Sequence, residues 1–244
     1  MKYYGITDKG IIREQNQDCI YLSENSKYNL YILADGMGGA NAGDIASQKA
    51  IEYVKEYISK NYIVENENNI KELLKNSITY ANMKIYKMSK LKKEYQGMGT
   101  TIVVALYLND KIYIAHVGDS SAYRIRKDII RKITKDHSYV QKLLDDKSIT
   151  KKEAKDHPKK NILLRAVGCE EKVEVDVTMK KLQVDDYLLL CSDGLTNMLK
   201  DKEILLTINT LKDCESICKK LVSLSNDRGG YDNISTILLH NSEV

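Results

Sequence analysis

The chain has 244 residues, of which 43% are apolar and 30% are charged, and 38 basic against 34 acidic residues leave a formal net charge of +4. A charge this small and dispersed gives no argument for nucleic-acid binding, and no apolar run approaches the ~18 residues that membrane insertion requires. Because the N-terminus lacks an apolar signal segment, we predict a cytoplasmic, monomeric protein that folds as one domain over residues 1–244.

The cysteines are few and scattered along the chain. They are Cys19, Cys169, Cys191, Cys214 and Cys218. Their number is odd and no Cys-x-x-Cys pair occurs, which argues against a disulfide framework and against a structural zinc site. We interpret them as small residues of the core.

The N-terminal third begins with three predicted strands. Tyr3–Thr7 and Cys19–Leu22 are short runs of strand-forming residues, and a third apolar run covers 30–34. A polar turn at 24–26 joins the second run to the third. We therefore expect these two strands to pair in antiparallel orientation.

Two amphipathic helices are predicted next. Apolar residues recur at helical spacing after Gly43-Asp44, where Asp44 would lie near the positive end of the helix dipole. A second helical pattern covers 70–88, after a polar break at 65–69. Two consecutive helices between groups of strands argue against a regular alternation of strands and helices.

From Thr100 the pattern changes to short β-branched runs separated by tight turns. The predicted strands are Thr100–Leu108, Lys111–Val117, Ser120–Arg126 and Ile129–Ile133. Short turns between consecutive strands are typical of antiparallel pairing, so we predict a mainly antiparallel sheet. A short helix is predicted at 136–144.

Residues 145–161 form a polar, lysine-rich stretch that contains the only proline, Pro158. A long polar segment within a domain is often a lid or a binding flap, although a solvated surface insertion would have the same composition. Beyond it, further elements are predicted. They are strands at 173–178, 187–192 and 234–239, with helices near 202–206 and 214–224.

Several of the predicted strands end in aspartate. Asp35 ends the apolar run from Leu30 and is followed by glycines at positions 36, 38 and 39. Asp119, Asp193 and Asp232 also lie next to strand ends. A lone Asp-Gly is more often a turn, but a repeated pattern of this kind predicts that these carboxylates, with Asp18, gather around divalent metal ions. Mg²⁺ and Mn²⁺ prefer such oxygen ligands.

A pair of such ions suits the attack of water on phosphorus, because it can lower the pKa of a shared water from ~15.7 towards neutrality. Arg13, just ahead of Asp18, is the candidate to hold a phosphate, although an arginine near a turn can equally be a surface residue. Other catalytic classes are disfavoured. The four histidines lack metal-binding spacing, and the sequence has no nucleophile elbow, P-loop or dinucleotide fingerprint.

These residues belong to a longer series of motifs that resembles the metal-dependent Ser/Thr protein phosphatases of type 2C, the PPM family, in its compact bacterial form. The motifs are Arg13-x-x-Asn16-Gln17-Asp18, Asp35-Gly36-Met37-Gly38-Gly39, Gly97-Met98-Gly99-Thr100-Thr101, Val117-Gly118-Asp119-Ser120, Asp136-His137-Ser138, Arg165-Ala166-Val167-Gly168, Ser192-Asp193-Gly194-Leu195 and Asp232-Asn233-Ile234-Ser235. They span nearly the whole chain and occur in the family's order.

The resemblance implies an α+β fold, a four-layer α-β-β-α sandwich of two antiparallel sheets flanked by helices. It also implies binding of Mn²⁺ or Mg²⁺, as two ions with a third position beside them. By similarity, Asp35 would bridge both ions and the Gly36 carbonyl would bind one of them. Asp193 and Asp232 would complete the shell of one ion, and Asp18 would belong to the other.

Two further roles follow from the resemblance. Asp119, together with Asp193, matches the third-metal position, and Arg13 matches the arginine that binds the substrate's phosphate. The segment 145–161 corresponds to the flap beside the active site. The implied reaction is one-step hydrolysis of phosphoserine or phosphothreonine on proteins by a metal-bridging hydroxide, opposing a Ser/Thr kinase.

One departure from the family pattern leaves alternatives open. Many relatives carry a histidine at the position of Met37 or of Ala40, and neither is histidine here. The general acid is therefore unassigned, with a metal-bound water preferred to His137. A phosphatase-like module that binds a partner without catalysis is the rival from another class. A different phosphoprotein substrate, such as the phosphoserine of an anti-anti-sigma-type regulator, is the rival within the class.

Overall fold

The computed structural model of the chain describes residues 1–23, 28–62 and 67–242, without the side chains of 39–41, 67 and 68. The strands are β1 (Lys2–Asp8), β2 (Asp18–Leu22), β3 (Asn29–Met37), β4 (Gly99–Thr100), β5 (Ile102–Leu108), β6 (Lys111–Val117), β7 (Ser121–Arg126), β8 (Ile129–Lys132), β9 (Asp176–Lys181), β10 (Tyr187–Cys191) and β11 (Ile234–His240). The helices are α1 (Gly39–Asn61), α2 (Glu67–Leu91), α3 (Tyr139–Asp145), α4 (Lys151–Lys155), α5 (Asp193–Thr196), α6 (Asp201–Thr210) and α7 (Cys214–Asp227).

The strands form two sheets, and the strand pairs between described residues are antiparallel, as predicted. One sheet has the order β1-β11-β10-β7-β8, and the other has the order β2-β3-β5-β6-β9 with β4 beside β3. The chain changes sheet between β6 and β7, at Gly118–Ser120. This crossing lies next to the strand ends that carry the predicted metal ligands.

Alternating side chains of the strands build three hydrophobic layers. In β3, Tyr31 and Leu33 belong to the core between the sheets, whereas Ile32 and Ala34 pack with α1 and α2 on the outer face. The helices α6 and α7 cover the outer face of the other sheet in the same way. The expected four-layer α-β-β-α sandwich is therefore confirmed.

Several predicted boundaries were wrong, and for two of them the structure gives a clear reason. Helix α1 begins at Gly39 rather than at Gly43-Asp44. Gly43 is a glycine for packing, because a Cβ on it would lie 2.6 Å from the Gln17 side chain. Strand β9 begins at Asp176 rather than at Val173, because its partner β6 ends one residue beyond the pair His116↔Asp176.

Two other predictions fall on or beside residues outside the described part. The predicted turn at 24–26 lies there, as do residues 65 and 66 of the predicted break. The rest of that break, 67–69, is helical and begins α2. The short helix α5 was not predicted from the sequence.

The segment 145–161 contains the short helix α4, which its sequence pattern did not predict. Thr150 and Glu153 cap it reciprocally, a motif that satisfies two orphan backbone donors at a helix start. The base of the segment is closed by backbone hydrogen bonds from Tyr139 N to Ile162 O at 2.8 Å and from Leu164 N to His137 O at 2.7 Å. We call 145–161 the flap from here on.

No helix among the described residues has both the length and the apolar character that crossing a membrane requires.

Candidate active site

A cavity of about 1180 Å³ opens at the strand ends where the two sheets meet. Six of the seven predicted site residues line it, namely Arg13, Asp35, Gly36, Asp119, Asp193 and Asp232. The seventh, Asp18, is buried behind them and is only 8% exposed. The structure thus brings together residues that are more than 200 positions apart in sequence.

Asp18 and Asp35 are direct cross-strand partners in the register of β2 with β3, a relation that places side chains on one face of a sheet within a few ångströms. The backbone of Asp35 is held by the loop that follows β4. Asp35 N donates to Thr101 Oγ1 at 3.1 Å, and Thr101 N donates to Asp35 O at 2.8 Å. The Gly97–Thr101 motif therefore positions Asp35.

Asp193 and Asp232 come from the other sheet, at the ends of β10 and β11. A serine joins this pair to Asp18, because Ser192 Oγ donates to Asp18 Oδ2 at 2.8 Å and accepts from Ser235 N at 2.9 Å. The second carboxylate oxygen of Asp18, Oδ1, is buried and has no hydrogen-bond partner. A buried, unpaired carboxylate oxygen is costly unless a cation or another donor reaches it.

Asn233 has a structural role that the sequence did not reveal. Its Oδ1 accepts from Gln17 N at 2.8 Å, and its Nδ2 donates to Lys9 O and Gln15 O, each at 2.9 Å. This buried amide therefore fixes the loop that carries Arg13. The sequence signal was its place in the Asp232-Asn233 motif, which indicated importance without indicating the partner.

The glycines after Asp35 and Asp193 are required by close approach of the backbone. A Cβ on Gly36 would lie 2.0 Å from Gly43 O, and a Cβ on Gly194 would lie 2.0 Å from Asn233 O. Real Cβ atoms do not approach backbone this closely, so any side chain would push these loops apart. The two Asp-Gly pairs are therefore tight packing points as well as strand ends.

Burial, and then the charges of neighbouring aspartates, raise the pKa of Asp18, Asp119 and Asp193. Burial, opposed by the hydroxyls of Ser235 and Ser192, raises the pKa of Asp18 to about 7. Burial, followed by the charge of Asp193, raises the pKa of Asp119 to about 7. Burial and then the charge of Asp232 raise the pKa of Asp193 to about 6.

Asp35 experiences the same effects most strongly. Burial, and then the charges of Asp18 and Asp193, raise its pKa well above the ordinary range. The only cation paired with the cluster among the described residues is Arg13, whose Nη2 donates to Asp232 Oδ2 at 2.8 Å. Since the Arg13 side chain is 53% exposed, the guanidinium can exchange this partner for a ligand in the cavity.

This donor set fits hard divalent cations, because it consists of carboxylate oxygens around a solvent-accessible space. The carboxylates surround the cavity rather than closing on one point. Among the described residues, the only three metal-ligating side chains whose ligand atoms all lie within 4.8 Å of one another are His116, His137 and Asp176. A wider ring suits two ions, which in two-metal sites lie ~3.5–4 Å apart.

None of the four histidines lines the described part of the cavity. His137 is buried behind Gly118, and its Nδ1 accepts from Gly118 N at 3.2 Å, so it is not placed to protonate a leaving group in the cavity. Met37 lines the cavity, and the side chain of Ala40 lies outside the described part.

The cysteine interpretation was correct for Cys191, Cys214 and Cys218, which are buried. It was wrong for Cys169, which is exposed and lines the cavity. Cys19 is half-buried. The Cys169 thiol packs against Gly99 on β4, where a Cβ would lie 2.5 Å from the Cys169 sulfur.

The chain is similar to known proteins over nearly its whole length. The profile of the family described as Protein phosphatase 2C matches residues 12–238. The serine/threonine phosphatase stp of Listeria innocua serovar 6a is 39% identical over 234 residues, which cover 96% of this chain and 93% of that protein.

Solved structures are similar over the full length. The S. agalactiae serine/threonine phosphatase superposes with a TM-score of 0.92 at 37% identity, covering 99% of both chains. The catalytic domain of the phosphatase PstP, in complex with two manganese ions, superposes with a TM-score of 0.86 at 30% identity, covering 99% of this chain and 98% of that one.

Proposed function

Because the chain belongs to the protein phosphatase 2C family, we propose that this metal-dependent protein-serine/threonine phosphatase hydrolyses phosphoserine and phosphothreonine on proteins at the carboxylate cluster. Asp35 would be a ligand of both ions of a Mn²⁺ or Mg²⁺ pair, and the Gly36 carbonyl would be a ligand of one of them. Asp193 and Asp232 would hold one ion, and Asp18 would hold the other. Asp119, with Asp193, would form a third and more exposed position.

The observation that carries the proposal is the convergence of these acidic side chains from both sheets on one open cavity. Within the described residues they have a single cationic partner, Arg13, and one buried oxygen, Asp18 Oδ1, has no partner. Thr101, Ser192 and the close-packed glycines hold these carboxylates in place. Without cations, the carboxylates repel one another and do not stabilise the fold. They stabilise the fold when divalent cations bind to them and neutralise their charge.

When bound, the ions would lower the pKa of a shared water so that it attacks phosphorus as hydroxide, and would neutralise charge on the phosphoryl oxygens. The chain itself contributes orientation. Arg13 is exposed at the rim, where its guanidinium can hold two phosphate oxygens at once. Cys169 is a poor nucleophile although its residue is exposed at the cavity wall, since partial desolvation of the thiol by its neighbours, and then the charge of Glu170, raise the pKa of the thiol. This supports a single-step reaction without a phosphoenzyme.

The proposal is tested by metal removal. Protein stripped with EDTA should release no phosphate from a phosphothreonine peptide above background, and Mn²⁺ in excess over the chelator should restore turnover. Turnover that is unchanged by EDTA would contradict the metal mechanism. Peptide binding in Mn²⁺ without phosphate release would instead favour the phosphatase-like binding module.

Arg13→Ala should weaken substrate binding far more than it weakens the fold. Its ion pair with Asp232 is exposed, and such pairs contribute only ~0–1 kcal/mol to stability. Loss of charged hydrogen bonds to phosphate should instead cost about 1.5–3 kcal/mol. We therefore expect kcat/KM for a phosphothreonine peptide to fall roughly 10- to 100-fold, with melting temperature nearly unchanged.

The matched control for this experiment is Arg131→Ala, an exposed arginine on β8 that is not among the residues lining the cavity, and it should leave kcat/KM unchanged. Arg13→Lys should be intermediate, because lysine keeps the charge but loses the two-point grip. Equal kcat/KM values for Arg13→Ala and Arg131→Ala would exclude Arg13 from phosphate binding.

Three further parts of the proposal concern the cell. The phosphatase would oppose a Ser/Thr kinase, would act as a monomer and would work in the cytoplasm. A comparison of the phosphoproteome with and without the protein in its own cell tests the first. Size-exclusion chromatography with light scattering, and fractionation, test the other two.

A further inference from the structure

His137 holds both peptide groups of Gly118, the residue before the candidate third-metal ligand Asp119. Gly118 N donates to His137 Nδ1 at 3.2 Å, and His137 N donates to Gly118 O at 3.0 Å. Gly118 has φ +103°, and a Cβ on it would lie 2.6 Å from Thr101 Cβ. The turn that carries Asp119 is therefore wedged between Thr101, which positions Asp35, and the His137 imidazole.

The same residue also contacts the chain that returns from the flap. His137 O accepts from Leu164 N at 2.7 Å. Because Nδ1 accepts a hydrogen bond, the neutral ring carries its proton on Nε2, and Nε2 lies 3.4 Å from Asp176 Oδ2. Asp176 in turn accepts from Arg165 Nη1 at 3.0 Å, and Arg165 and Leu164 line the cavity on the flap side.

A second histidine keeps the ring in this orientation. His116 stacks on His137 with 4.6 Å between ring centroids and 21° between planes, and its Nε2 lies 2.8 Å from Lys135 O. His116 is also the cross-strand partner of Asp176. Both rings are buried. The His137 imidazole is therefore held by Gly118 at Nδ1, by Asp176 at Nε2 and by the His116 ring on one face.

The group His116, His137 and Asp176 is close enough to hold a metal ion, but its geometry opposes one. Ring nitrogens ligate in the plane of the ring, and the lone pairs of two nearly parallel rings do not converge on one ion. The Arg165 guanidinium already lies 3.0 Å from Asp176 Oδ1 and 3.3 Å from His137 Nε2. A cation thus already occupies the side from which an ion would be held.

We propose that His137 is a positioning residue that couples the flap to the Asp119 metal position. Its Nδ1 supports the Asp119 turn, and its Nε2, through Asp176, supports Arg165 at the flap side of the cavity. A flap that moves Arg165 therefore changes the affinity of the Asp119 position, and metal at that position restricts the flap. The inference rests on the proposed role of Asp119 as a ligand.

The test uses variants that cut the connection from either side. His137→Asn keeps an acceptor, Oδ1, near the position of Nδ1 but removes the group that faces Asp176. Asp176→Asn removes the carboxylate charge that pairs with Arg165. Both should weaken the weakest Mn²⁺ site about 10-fold, as is usual when a residue behind a metal ligand is lost. Both should also speed tryptic cleavage within the lysine-rich flap.

The double variant should be no worse than either single variant, because both remove the same link. His137→Ala removes both contacts and should weaken the site further. The matched controls are His240→Asn and Asp185→Asn, which break a similar histidine–aspartate contact of 3.4 Å at the opposite end of β11. Calorimetric Mn²⁺ titration and the trypsin rate are the readouts.

Mn²⁺ affinities and trypsin rates of His137→Asn and Asp176→Asn that equal those of the controls would overturn the coupling. Nitrogen coupling in the pulsed EPR spectrum of Mn²⁺-loaded wild type would overturn it too, since it would mean that histidine ligates an ion. If wild type itself neither binds Mn²⁺ nor releases phosphate, the proposed function fails. If wild type does both and the variants behave as controls, only the role of His137 fails.

Discussion

Asp193→Asn should abolish turnover of a phosphothreonine peptide in Mn²⁺ while leaving the fold intact. The asparagine side chain keeps the size of the aspartate and can still contact Asn197, whose Nδ2 donates to Asp193 Oδ2 at 3.0 Å. It loses the negative charge that would hold two of the proposed ions. Mutation of a residue that supports a metal ligand typically lowers metal affinity or activity about 10- to 100-fold. Loss of a direct ligand should therefore lower kcat by more than about 100-fold.

The thermal stability of this metal-free variant, unlike its activity, should not fall. Without metal, Asp193 repels its neighbours, and its charge helps to raise the pKa of Asp35 and Asp119. Asp193→Asn should therefore melt at the same temperature as wild type in EDTA, or higher. The exposed Asp201→Asn is the matched control and should keep full activity. Wild-type turnover in Asp193→Asn would refute the site assignment.

Metal removal should reverse the pH dependence of stability. In the metal-free chain, Asp18 and Asp119 titrate near pH 7 and Asp193 near pH 6, whereas an unfolded aspartate titrates near 3.9. Between about pH 4 and pH 7 the folded state thus binds more protons than the unfolded state. Stability in EDTA should fall as pH rises through this window, because the slope follows the proton difference.

With Mn²⁺ the sign should change, because the ions bind only the deprotonated carboxylates. The two curves should meet near pH 4 and separate towards pH 7. At an ion concentration of 100 times the dissociation constant, each ion contributes about 2.7 kcal/mol, which is roughly 5–10 °C in melting temperature for a chain of this size. Calorimetric scans at several pH values, in EDTA and in Mn²⁺, measure both curves.

Two buried histidines have the opposite effect on the pH dependence of stability between about pH 4 and pH 7. Burial lowers the pKa of His116 and His137, so the unfolded state takes up protons below about pH 6.5 and their contribution to stability rises with pH. Comparison with Asp193→Asn isolates the carboxylate effect, since the histidines are the same in both chains. A stability slope in EDTA that is equally steep in wild type and Asp193→Asn would contradict the explanation.

Much of the fold followed from local pattern. The strands at 111–117 and 187–191 were predicted within one residue of their observed ends, because a β-branched run bounded by turn residues carries its own signal. Predicted boundaries were wrong where an element's end depends on contacts with residues that are distant in sequence. Val173 and Val175 have strand propensity, but they have no partner strand beyond the pair His116↔Asp176.

The site divides in the same way. Asp35, Asp119, Asp193 and Asp232 could be found because each lies next to a strand end, and strand ends of one sandwich can meet at one edge. The roles of Asn233 and His137 could not be found. Each depends on hydrogen bonds to residues that are not its neighbours in sequence, such as Asn233 to Gln17 at 2.8 Å and His137 to Gly118 at 3.2 Å.

The sequence by itself determined the antiparallel strands, the acidic strand ends, the order of the family's motifs and hence the class of chemistry. Only the tertiary structure decided that Asp18 faces Asp35, that Gly36 and Gly194 are needed for close backbone approach, and that one imidazole lies between the flap and the Asp119 turn. The physical reason is the distance along the chain over which each kind of interaction acts. Propensity and periodicity act between neighbours along the chain, whereas register, close packing and charge repulsion act between neighbours in space.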